Sequence, residues 1–158
     1  MKKGFYFSFL AMLSFSLMSS SCSSDDDDGD LNDNSQQISQ IENIVESETW
    51  RITNFIDSGE NETSDFTGYD FLFNSDGSLI ATNGNDTLDG TWSITDDSSS
   101  SSGDDDIDFN IFFPVPDTND FEDLNDDWDI ISSTSTKIEL IDISGGNGGT
   151  DNLTFEKN

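Results

Sequence analysis

From residue 49 onward, apolar side chains recur at every second position in short runs, and turn-forming residues separate the runs. That period of two is the mark of strands with one buried face. TWRITNFID (49–57) alternates. YDFLFN (69–74) places Tyr69, Phe71 and Phe73 on one face. Ser75-Asp76-Gly77 supplies a hairpin turn, and SLIATN (78–83) follows it. LDGTWSIT (88–95) aligns Leu88, Gly90, Trp92 and Ile94. IDFNIFF (107–113) aligns Ile107, Phe109, Ile111 and Phe113, which leaves Phe112 on the opposite face. DWDIIS (127–132), KIELID (137–142) and NLTFEK (152–157) bring the number of strands to eight. Short turns and even spacing predict an all-β fold, an eight-stranded antiparallel up-and-down barrel. One segment breaks the period. In SQQISQIENIVES (35–47), Ile38, Ile41, Ile44 and Val45 fall at helical spacing, with Asn34 as the expected N-cap and Gln37 three residues on. A short amphipathic N-terminal helix packed on the barrel is expected.

The first 28 residues follow a different logic. Lys2 and Lys3 precede an apolar run (4–18), then Ser19-Ser20-Ser21, then Cys22 and four aspartates. This order is that of a bacterial lipoprotein signal peptide, too short and too interrupted by serines to span a membrane. Ser19 stands where a leucine-like residue is usual. The expectation is cleavage before Cys22 and lipid attachment to it, which explains the only cysteine in the chain. Buried acyl chains contribute about 0.8 kcal/mol per CH₂, and two or more hold a protein stably. The expected organisation is a signal peptide (1–21), an acidic tether (22–34) and one barrel domain (35–158). The tether resembles the acidic export tag of surface-exposed lipoproteins of Bacteroidetes-type bacteria. That resemblance implies an outer-membrane, surface-exposed location; as composition alone, the tether is a solvated linker.

Charge narrows the partners. The chain has 5 basic and 34 acidic residues. Removing Lys2 and Lys3 leaves 3 against 34, a balance of −31. Nucleic acid is therefore disfavoured as a partner, as are anionic headgroups beyond the lipid anchor itself. There is no histidine, which rules out Ser-His-Asp and Cys-His catalysis and histidine-based metal centres. With so many carboxylates, any acid/base pair is uninformative, and a non-catalytic, monomeric protein without a cofactor or fixed metal is expected. The acidic stretches 104–106 and 117–127 show no fixed ligand spacing, so diffuse Ca²⁺ binding is the most they predict.

A helix, a tryptophan early in the first strand and Gly90-Thr91-Trp92 in the fourth resemble the lipocalin-like domains of bacterial surface lipoproteins. FNSDGSLIATNG, TKIELID and the final LTFEK share that style. The glycine expected before the first tryptophan is replaced, in Glu48-Thr49-Trp50. The resemblance covers residues 35–158 and implies a lipocalin-like barrel; it transfers no ligand. Two uses of the aromatics stay open. Trp50, Tyr69, Phe71, Trp92, Phe109 and Trp128 either line a cup for a small apolar molecule or glycan, or fill the interior, since an eight-stranded barrel is just wide enough for either. The bulk of the inward residues favours filling. Phe112, with Phe121 in the acidic proline loop (114–126), is the candidate patch for an envelope-protein partner.

Overall fold

The computed structural model describes residues 33–96, 107–143 and 149–158. Helix α1 (Asp33–Val45) leads into strands β1 (Thr49–Asp57), β2 (Glu60–Asn61), β3 (Asp70–Phe73), β4 (Ser78–Thr82), β5 (Thr87–Asp96), β6 (Ile107–Phe112), β7 (Asp126–Ser133), β8 (Lys137–Asp142) and β9 (Asp151–Lys157). All pairings are antiparallel between neighbours in the chain, and β1–β9 pairing closes the sheet. The result is an eight-stranded up-and-down barrel. The two-residue β2 is only a flap hairpinned onto the end of β1.

Alternation drives this arrangement, and its interruptions are local. β1 buries Trp50, Ile52 and Phe55, a spacing of two and then three. A register shift against β9 between Ile52 and Asn54 absorbs the extra residue, as a β-bulge does. A second shift, between Ile130 and Ser132 on β7, accompanies an exposed Ile131. At the β3–β4 turn, Gly77 takes a φ of 81°, open to glycine at no steric cost. The Asp76 carboxylate accepts from the Ser78 N–H at 3.0 Å.

The two ends of the barrel are closed differently. α1 seals the end where β1 begins, burying Ile41 and Val45, and the Val45 carbonyl accepts the Trp50 indole N–H at 2.8 Å. The helix starts at Asp33, so Asn34 lies within its first turn and is not the N-cap that the spacing predicts. The opposite end is closed by the 3₁₀ turn Thr63–Phe66 and by the segment between β6 and β7, with its own 3₁₀ turn Glu122–Leu124. These insert Phe66, Phe121 and Leu124 into the core. The Asn125 side chain pins that segment, donating to the Phe113 carbonyl and accepting the Phe113 N–H. The signal peptide, Cys22, most of the tether, and positions 97–106 and 144–148 lie outside the described residues.

Candidate functional site

The interior is occupied by rings. Phe73 meets Trp92, Phe109 and Phe155 edge-on at centroid distances of 5.4–5.5 Å. Phe71 meets Phe155 at 5.3 Å, and Phe55 meets Trp128 at 6.3 Å. These are the edge-to-face geometries that aromatic quadrupoles favour. Of the six expected cup residues, Trp50, Phe71, Trp92, Phe109 and Trp128 are buried, and Tyr69 packs against the core at its margin. Each tryptophan N–H is already used: Trp50 on Val45, Trp92 on the Asn74 carbonyl at 3.0 Å, and Trp128 on the Leu124 carbonyl at 3.1 Å. The indoles therefore present no spare donor to a ligand. The Lys157 ammonium sits 5.2 Å from the centre of the Trp50 ring, so even the end-most indole is covered.

The expected aromatic patch divides. Phe112 is 54 % exposed on the outer wall, but Phe121 is buried. Its ring packs against Tyr69, Phe113 and Phe66 at 4.9–5.2 Å and stacks on Phe71 at 6.0 Å. The proline loop carries Phe121 over the barrel mouth, where it is a plug and not part of a surface.

Around Phe112 lies an open groove of about 720 Å³ on the outer wall. The register builds it. Thr91 pairs with Phe112, and Ser93, Asn110 and Asp127 form one row across β5, β6 and β7. Asn110 is fixed by donating to the Thr95 hydroxyl at 2.8 Å. Glu122, Asn125 and Asp126 form the remaining wall. Sequence reasoning grouped these acids in the stretch 117–127 but did not place them beside Phe112, because strand alternation supplies Asp127 while a non-periodic turn supplies Glu122.

Electrostatics are uneven along the barrel. Burial pushes the Asp126 carboxyl up to about 6, aided by a hydrogen bond with the Asp127 side chain and by the nearby charge of Asp142. Glu62 and Asp123 are also raised, first by burial and then by the charges of Asp57, Asp65 and neighbouring acids. The described cations stand at the other end. Arg51 lies 3.9 Å from Glu156, Lys137 lies 2.6 Å from Glu139, and Lys157 donates to Ser47. Among the described residues, no group of three or more Asp, Glu, His or Cys side chains is placed to hold a metal ion.

A raised carboxyl makes the native state hold a proton that the unfolded chain releases. Stability associated with Asp126 is therefore greatest at low pH and is lost as pH rises through about 4–6. The lowered carboxyls work in the opposite sense: Asp76, held down by Ser78, and Glu139, held down by Lys137 and then Ser132. They withdraw support only below the ordinary carboxylate range. The melting temperature should thus peak near pH 4 and fall toward pH 6. Asp126→Asn keeps the oxygen that accepts from the Asp127 N–H at 2.9 Å. It should raise stability at pH 7 by about 1 kcal/mol after solvent screening and flatten the profile between pH 4 and 6. Melting curves across pH would check both; an unchanged slope in the variant would remove Asp126 as the cause.

No protein-family model matches the chain, and no curated protein matches it. Among solved structures, a duf4847 family protein from Bacteroides vulgatus ATCC 8482 aligns with a TM-score of 0.47 and 19 % identity, over 75 % of this chain and 97 % of that one. The barrel assignment rests on the strand pairing described above, not on that alignment.

Proposed function

We propose that this protein is a non-catalytic binding module of the bacterial envelope. It is anchored by lipid at Cys22, and it recognises its partner on the outer wall of a filled, lipocalin-like barrel. The observation that carries the reading is the division of the aromatics. The residues suited to lining a cup are packed on one another, while Phe112 is left on the wall beside a groove. A closed meander, an end-capping helix and Trp50 at the start of β1 support the lipocalin-like assignment.

Two measurements test it. Cross-linking in envelope extracts should capture a partner that is lost on Phe112→Asp, a substitution at an exposed site that leaves the melting temperature within about 2 °C. Native mass spectrometry with organic extraction should return the bare chain; a discrete bound small molecule would restore the interior-carrier reading. For the anchor, Cys22→Ser should release the protein from membranes, and continued membrane attachment would refute lipidation.

A further inference from the structure

We propose that the groove beside Phe112 receives an arginine side chain on an extended segment of a partner protein. This rests on the outer-wall reading above and gives it a chemistry. Phe112 offers a ring face that is half open to solvent. Asp127 stands across the β6–β7 ladder, opposite Asn110, and so occupies the position diagonal to Phe112. Such diagonal pairs are about 7–8 Å apart at their Cα atoms. A guanidinium within about 6 Å of the ring centre spans that gap, stacking on the ring while its planar fork reaches a carboxylate. Glu122, Asp126, Ser93, Thr91 and Asn110 complete the polar lining of the groove.

Charge complementarity selects the occupant. The three described cations make their contacts with Glu156, Glu139 and Ser47, at the end of the barrel sealed by α1. The groove's acids are therefore gathered where the described residues supply no ion pair. Asp126 and Asp127 share a hydrogen bond, and burial holds the Asp126 carboxyl well above its ordinary range. A cation brought from outside offsets the negative charge gathered there, whereas an anionic or neutral segment does not. Arginine fits better than lysine because an ammonium is a point charge that neither stacks nor bridges two acceptors.

The test uses the full-length protein in detergent, about 0.15 M NaCl to screen diffuse attraction, and a fluorescein-labelled octapeptide of alternating Arg and Ser read by anisotropy. Saturable one-to-one binding is expected, about threefold weaker for the same peptide with Lys in place of Arg. Phe112→Ala and Asp127→Asn should each weaken binding by about fivefold or more. Asp86→Asn, in the β4–β5 turn away from the groove, should change it by less than about twofold. Matching melting curves would show that the variants keep the fold. The proposal is overturned by any one of three results: no saturable binding, equal affinity for the Lys peptide, or a loss on Asp86→Asn as large as that on Asp127→Asn. If a partner captured in envelope extracts still depends on Phe112 in any of those cases, the outer-wall reading stands and only the arginine assignment falls.

Discussion

Phe121→Ala should destabilise the protein by about 3–5 kcal/mol, the range for emptying a buried phenylalanine site. The ring touches Phe66, Tyr69, Phe71 and Phe113, which come from a 3₁₀ turn, the edge of β3, β3 itself and the end of β6. Those surroundings cannot collapse together, because the Asn125 bonds to Phe113 hold the segment at its base. At roughly 3–4 °C per kcal/mol for a domain of this size, the melting temperature should fall by about 9–20 °C. Phe112→Ala is the internal control, and it should cost less than about 0.5 kcal/mol because its ring is already in water. Chemical denaturation of the two variants would check the contrast. Equal losses would mean that the loop does not plug the mouth.

The second large effect is expected at Gly90. It faces inward on β5, and a Cβ there would lie 2.5 Å from the Phe112 carbonyl oxygen and 2.8 Å from Cδ1 of the Phe113 ring. The ring can shift but the β6 backbone cannot, since Thr91 pairs with Phe112 and Trp92 with Ile111 along an intact ladder. Gly90→Ala should therefore cost about 2–3 kcal/mol through overpacking, with a melting temperature lower by about 6–12 °C. Near-ultraviolet circular dichroism should change as well, because Trp92 lies two residues along the same face. A variant melting within 2 °C of the parent would show that β5 and β6 are not held this close.

The eight barrel strands are legible because each carries several alternating apolar residues between turn signals. The flap β2 is not, because Glu60 and Asn61 are both exposed and leave no periodic trace. The bulge in β1 is equally silent, since Thr53 and Asn54 look like ordinary strand residues. Alternation places Phe112 outward, and it stands outward. It says nothing of Phe121, which lies beyond Pro114 and Pro116 in a segment that follows no period. The one available signal was Phe121 and Leu124 three apart within an acidic stretch, enough for a single 3₁₀ turn to bury both. Whether the tryptophans line a cup or fill it depends on the summed volume of all inward side chains, a property of the closed barrel that no single strand contains. The groove needs the register of three strands, which alternation restricts without fixing.

Closing the sheet through β1 and β9 has a consequence for how the chain reaches its native state. Every other barrel seam joins elements close in sequence, but Trp50 meets Lys157 and Ile52 meets Phe155 across more than a hundred residues. This seam carries the largest loop-closure cost in a meander otherwise built from local hairpins, and it is expected to form last. When a chain is made from its N-terminus, β1 is the first strand to appear and β9 the last. Until they join, β1 lacks its β9 partner and holds Trp50, Ile52 and Phe55 ready for burial, the condition in which strands of separate molecules pair with one another. The heavy negative charge, of little use to the finished fold, then keeps half-closed barrels apart long enough to shut.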